Sequence, residues 1–239
     1  MTSNPVFCAI DTTDLAGALA MAARLRGLVG GLKVGLEFHT ALGTAGVRAI
    51  IDHGLPVFLD LKFHDIPNTV AGAVRAAVRM QPTLTTLHTA GGKAMMQAAV
   101  AAADEESAKL GVVRPRLVGV TVLTSLSAED LPTVGIQDAV LDQVKRLALL
   151  ARESGLDGIV CSPQEVAAVR AVCGPDFQLV IPGIRPVWAG AQDQKRVMTP
   201  AEALAAGADL LVIGRPITGA ADPAVAARRI FDEIQGDRA

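Results

Sequence analysis

A chain of 239 residues, 51% hydrophobic and with a formal charge of −2, can bury one sizeable core. It lacks the basic excess that a nucleic-acid or membrane surface needs. With no tyrosine, one tryptophan and six phenylalanines, it also offers no aromatic platform for stacking bases.

Short apolar runs alternate with amphipathic stretches from one end to the other. In chain order the pattern predicts strands at 6–10, 32–36, 57–61, 84–88, 117–122, 158–161, 179–181 and 210–213. Helices are expected between and after them, at 15–28, 40–53, 70–80, 92–109, 138–154, 163–173, 200–206 and 223–234. Pro67, Pro163, Pro200 and Pro223 fall in or near first turns, and Gly30, Gly54, Gly111, Gly155, Gly174 and Gly207 near helix ends. Eight strand–helix units at this length fit an α/β (β/α)8 TIM barrel, a single domain over 1–239. A doubly wound sheet fits less well, because no GxGxxG turn follows the first strand. No apolar run of about 18 residues marks a membrane span, and MTSNPVFCAID reaches Asp11 too early for a secretory leader. Cys8, Cys161 and Cys173 are widely spaced without a CxxC pair. They fit reduced thiols in a cytoplasmic protein, with Cys161 read as a buried structural thiol.

In such a barrel, function sits at the C-terminal strand ends. Those ends carry Asp11, Lys33, Asp60 with Lys62, His88, Thr124, Cys161, Arg185 and Arg215. The richest segment is FLDLKFHDIPNT at 58–69. On a strand of period two, Asp60 and Lys62 share a face, while Val57, Leu59 and Leu61 point into apolar packing. A carboxylate beside an ammonium is either a salt bridge or a catalytic pair. Flanking Lys62 by Asp60 and Asp65 favours the second, because two carboxylates keep the ammonium charged and poised as a proton donor. Lys33, from the neighbouring strand, would add a fourth charge of alternating sign, costly to bury without a function.

The strand-seven and strand-eight ends, IPGIRP and IGRP, offer backbone N–H groups at Gly183 and Gly214 and guanidinium forks at Arg185 and Arg215. This is the usual phosphate end of the fold. The stretch 182–198, with Gly190, Gln192, Gln194 and Lys195, is long for a βα loop and reads as a lid. His39 and His53 read as structural or solvent-facing, His64 as shaping the active loop and His88 as pocket wall. Near Asp60 only Glu37 and His88 offer further metal ligands, without tight spacing, so no metal is expected.

Together DLKFHDIPNT (60–69), LKVG (32–35), VTVLTS (120–125), PGIRP (182–186) and VIGRP (212–216) resemble the orotidine 5′-phosphate decarboxylase family. The match runs in order from Asp11 to Pro216. The resemblance implies a cytoplasmic homodimeric carboxy-lyase that converts orotidine 5′-phosphate to UMP and CO₂ without metal or organic cofactor. It implies Lys62 as proton donor to C6 of the pyrimidine, Asp60 beside the departing carboxylate, and Lys33 and Asp65 completing the charge network. Asp11 and Thr69 would bind ribose hydroxyls and Thr124 the base edge, with Ile66 also against substrate. Gln194, Gly214 and Arg215 would hold the phosphate, supported by Arg185. Asp65 and Thr69 would come from the partner subunit. Two alternatives stay open: a Mg²⁺-dependent 3-keto-gulonate 6-phosphate decarboxylase, which shares the strand-three Asp and Lys, and a catalytically silent phosphosugar-binding protein.

Overall fold

The computed structural model describes residues 4–189 and 198–236. Eight parallel strands close into a barrel in sequence order: β1 (Val6–Ala9), β2 (Gly31–Gly35), β3 (Val57–Phe63), β4 (Leu84–His88), β5 (Arg116–Val120), β6 (Gly158–Val160), β7 (Gln178–Ile181) and β8 (Leu210–Ile213). Around them run α1 (Leu15–Leu25), α2 (Leu36–Ile51), α3 (Pro67–Met80), α4 (Lys93–Leu110), α5 (Val140–Glu153), α6 (Val166–Cys173), α7 (Pro200–Ala205), α8 (Arg215–Thr218) and α9 (Pro223–Gly236). The sheet is a closed (β/α)8 barrel rather than a doubly wound one. Among the described residues no helix is long and apolar enough to cross a membrane.

The pleat divides the apolar residues into two cores. Phe7, Phe58, Leu84, Val118, Val180 and Leu210 fill the barrel interior. Val57 and Leu59 join the larger layer between barrel and helices, with Leu61 packed against it. Phe7 needs room that only glycine leaves: a Cβ on Gly31 would stand 2.3 Å from its ring. Phe58 therefore points inward, and the next inward residue along β3 is Asp60.

At the bottom of the barrel one device recurs. The residue preceding an even-numbered strand accepts an N–H from the start of the strand before it. Thr83 takes the Val57 N–H at 3.2 Å, Asp157 that of Leu117 at 2.7 Å and Asp209 that of Leu179 at 2.7 Å. Arg114 then pairs with Asp157 at 2.7 Å and Arg170 with Asp209 at 2.7 Å. These polar groups close the barrel at this end.

The helix starts follow the capping rules. Pro67, Pro200 and Pro223 open α3, α7 and α9, while Pro163 opens a short 3₁₀ turn before α6. Asp14 caps α1 through the Ala16 N–H at 3.0 Å. The pattern misplaces some boundaries. Helix α2 begins at Leu36, directly after β2, and is kinked at Gly43, where φ is 59°. Strand β5 ends at Val120, so Thr124 lies in the turn beyond it. Helix α8, of four residues, is too short to show a period.

Candidate active site

Strand β3 does not end as a regular strand. Leu59 pairs with Thr85 and Phe63 with Leu87, so four residues of β3 advance against two of β4. This is a bulge. Within it Lys62 has φ 51°, a left-handed conformation that costs a non-glycine residue on the order of 1–3 kcal/mol. The expected pairing of Asp60 with Lys62 is present, but the bulge sets its geometry. Lys62 Nζ stands 2.6 Å from Asp60 Oδ2. Thr86 meets the same unit: its hydroxyl is 2.9 Å from Asp60 Oδ1, and its oxygen accepts the Lys62 backbone N–H at 2.8 Å. Nothing in the strand pattern singles out Thr86, because its place follows from the shifted register.

A second ion pair stands beside the first. Lys33 Nζ donates to Asp11 Oδ1 at 2.9 Å. The register explains it: Ala9 pairs with Lys33, and Asp11 lies two residues beyond Ala9. The ammonium side is buried, with 11% of the Lys33 side chain exposed against 53% for Asp11. Lys33 goes to Asp11, Lys62 to Asp60, and Asp65 is exposed, its carboxylate accepting the N–H of Ile66 at 2.6 Å.

Asp11, Lys33 and Asp60 form one wall of a cavity of about 530 Å³. The facing wall comes from the ends of β7 and β8, with Gly183, Arg185, Gly214 and Arg215. Gly183 has φ 76°, a turn that disfavours a side chain. Arg185 is 7% exposed. Its guanidinium donates to the Ile184 carbonyl at 2.9 Å, and its backbone N–H to Met198 O at 3.0 Å. The long loop is thereby closed at its base. Trp188, under the Arg229 guanidinium at 4.7 Å, ties it to α9. Gln194, with Gly190, Gln192 and Lys195, lies outside the described residues.

The lining therefore carries the Lys33–Asp11 pair and Asp60, the carboxylate that holds Lys62, together with guanidinium groups and turning glycines. This suits a ligand with a reacting centre at one end and an anion at the other. Ile66 and Thr69 are exposed on the turn into α3 and its first residues, with Asp65, rather than in this cavity. Thr124 is half-buried after β5. His88 ends β4 with its ring 5.2 Å from that of His64. Burial, then the charges of His64 and Lys62, push its pKa below the ordinary 6.5, against the pull of Asp60. Glu37 is exposed in the first turn of α2. Among the described residues no group of three or more His, Cys, Asp and Glu is placed to hold a metal ion.

A cavity of similar size, about 530 Å³, opens at the opposite mouth, lined by residues such as Pro56, Pro82, Leu84, Val112 and Leu210. Arg114, also on its lining, is held by Asp104 and Asp157. Among the described residues, the lining of this lower cavity carries no carboxylate–ammonium pair.

A family model described as "Orotidine 5'-phosphate decarboxylase / HUMPS family" matches residues 4–230. The orotidine 5′-phosphate decarboxylase of Paramagnetospirillum magneticum is 62% identical over 231 residues, covering 97% of this chain and 98% of the relative. That of Rhodospirillum rubrum is 58% identical over 237 residues, covering 99% and 96%. Among solved structures, the orotidine 5′-phosphate decarboxylase of Lactobacillus acidophilus superposes with a TM-score of 0.84 at 34% identity, covering 97% of this chain and 99% of that one.

The cysteines take no part in the site's charge chemistry. Burial, helped by Asp11 and opposed by Lys33, pushes the Cys8 thiol from the ordinary 9.0 up to about 12. Burial also holds Cys161 well above its usual range. The native chain at pH 8.5 should resist iodoacetamide at both residues and react fully in urea, as read by mass spectrometry. The unfolded chain releases the Cys8 proton above about pH 9 while the native chain keeps it. Stability should therefore fall between about pH 9 and about 12, by about 1.4 kcal/mol per unit. A chemical-denaturation series should show a slope shallower by about that amount in Cys8→Ala than in the native chain, the remainder coming from the buried Cys161.

Proposed function

As the chain belongs to the orotidine 5′-phosphate decarboxylase / HUMPS family, we propose that it converts orotidine 5′-phosphate to UMP and CO₂, in the cytoplasm and without metal or organic cofactor. The observation that carries this reading is the Lys62–Asp60 pair, 2.6 Å apart, with Asp60 lining a cavity that Arg185 and Arg215 also line.

The C6–carboxylate bond breaks with its electron pair left on C6. That carbon is sp², and the pyrimidine offers no electron sink of the kind an organic cofactor would supply. The charge must be stabilised electrostatically and quenched by a proton. Lys62 Nζ does both: its ammonium faces the developing carbanion and gives C6 a proton, and the neutral amine regains one from water. Asp60 sits beside the departing carboxylate and holds Lys62 charged. Asp11, paired with Lys33, binds ribose hydroxyls, and Thr124 the base edge. Arg215, Gly214 and Gln194 hold the phosphate, with Arg185 behind them. Binding energy from the phosphate, remote from the broken bond, then reaches the transition state.

The reading further takes the enzyme as a homodimer in which Asp65, Ile66 and Thr69 reach the partner's cavity. Ile66, at 66% exposure, is a large apolar side chain left in water beside an exposed Asp65, which an interface would cover.

The purified protein should release CO₂ from orotidine 5′-phosphate at full rate in excess EDTA. Lys62→Ala should lose more than the roughly 10²–10³-fold typical of removing one such group. Lys62→Arg should not rescue it, since a guanidinium keeps its proton. Turnover that needs Mg²⁺, or near-normal rates in either variant, would overturn the assignment.

Subunit exchange tests the shared site. In a heterodimer of Lys62→Ala and Asp65→Ala subunits, action of Asp65 across the interface puts both lesions in one site and none in the other. Mixing two nearly dead variants should then recover up to about half the native activity, by the two-fold symmetry of the dimer. No recovery from demonstrated heterodimers would place Asp65 in its own barrel.

A further inference from the structure

We propose that Thr86 is a positioning residue of this site, one hydroxyl that fixes both ends of the Asp60–Lys62 unit. The proposal rests on the decarboxylase reading for its kinetic consequence, but not for its geometry. Thr86 lies on β4 opposite the bulge, between Thr85 and Leu87, which pair with β3 on either side of it. It is fully buried. Its oxygen accepts the Lys62 N–H at 2.8 Å, and its hydroxyl lies 2.9 Å from Asp60 Oδ1.

The polarity of this relay follows from the partners. A backbone N–H can only donate, so the Thr86 oxygen must accept from Lys62. The single hydroxyl proton is then available to Asp60, a carboxylate that accepts. Asp60 Oδ2 in turn takes the Lys62 ammonium at 2.6 Å. A closed ring results, from the Lys62 backbone through Thr86 and Asp60 to the Lys62 side chain. It holds the lysine at both ends.

The ring answers two costs of the bulge. Lys62 at φ 51° is disfavoured, and such a residue persists only where its surroundings over-determine it. Its N–H has also lost the regular strand ladder, and a buried N–H without a partner is costly. The Thr86 oxygen replaces the missing carbonyl. Next to it, the Thr85 hydroxyl donates to Leu59 O at 2.8 Å, which anchors the last residue in register. The threonine pair thus brackets the bulge. Threonine is stiff about χ1, so its hydroxyl is aimed before substrate arrives.

The test compares Thr86→Val, which keeps the shape and removes the hydroxyl, with Thr86→Ser, which keeps the hydroxyl. Two readouts are used. Amide hydrogen exchange of Lys62, followed by NMR without substrate, should be slow in the native chain and in Thr86→Ser and fast in Thr86→Val. With orotidine 5′-phosphate, Thr86→Val should lose about 10–100-fold in kcat, the range for a hydrogen bond to a charged group. Its KM and its affinity for UMP should stay within about threefold, and Thr86→Ser should recover most of the rate. Unchanged Lys62 exchange in Thr86→Val would overturn the proposal. So would a loss shared equally by kcat and UMP binding, or a serine variant as slow as valine. An inactive native protein would instead refute the decarboxylase reading, and the exchange result would still decide the role of Thr86.

Discussion

The ammonium of Lys62 and the carboxylate of Asp60 stand 2.6 Å apart with 29% and 15% of their side chains exposed. Bringing two charges this far out of water costs several kcal/mol per ion after relaxation. Their attraction offsets that only if the geometry is held and the remaining polar atoms are satisfied. Much of the upper barrel serves this condition. Phe58 fills the space below, so that Asp60 is the next residue to face inward. The bulge in β3 puts Lys62 in a left-handed conformation, and Thr86 occupies the polar atoms that the bulge leaves over. Asp11 takes Lys33 at 2.9 Å, so the second ammonium stands beside the first already neutralised.

The opposite end of the molecule shows the same residue types put to another use. Asp157 and Asp209 also pair with a cation, Arg114 and Arg170, but each accepts a strand N–H as well. On each, one oxygen, Oδ2, takes both bonds and so ties the cation to the closure of the barrel. At the upper mouth the cavity is lined by Asp11, Lys33 and Asp60 from β1 to β3 and by guanidinium groups from after β7 and β8. Only a barrel brings these together, because its first and last strands are neighbours, Cys8 of β1 pairing with Ile213 of β8. In the proposed mechanism, a substrate gripped at the arginine end is thereby oriented toward Lys62, and the grip contributes to rate through position rather than through the bond that breaks.

The sequence carries the fold clearly, because buried parallel strands are short apolar runs and the punctuating prolines and glycines are local signals. Strands 84–88 and 210–213 were legible to the residue. The Asp60–Lys62 pairing was legible as period two, and the arginine wall as two matching strand ends. What escaped depends on register between strands. Period two says nothing of a bulge, so neither the left-handed Lys62 nor Thr86 opposite it could be read from β3. Lys33 was grouped with Asp60 because strands two and three are neighbours, and the β1–β2 register gives it Asp11 as its ion-pair partner. Helix α2 starts at Leu36 rather than at the expected Thr40, directly after the extended N-cap Gly35. Asp65, Ile66 and Thr69 emerge on the outer surface of one chain, and only the family resemblance gave them a role across an interface.

The central claim is that the upper mouth is built for negative charge on the pyrimidine C6 rather than for the pyrimidine as such. The most direct measurement compares the affinity of the native protein for UMP with that for a UMP analogue bearing an anionic oxygen at C6, by titration calorimetry. The two ligands share ribose, phosphate and ring, so the difference isolates the charge facing Lys62. The account predicts that the anionic analogue binds at least about 10²-fold tighter, the lower bound for a mimic of the transition state. Equal affinities would contradict it and would leave Lys62 and Asp60 as a structural ion pair.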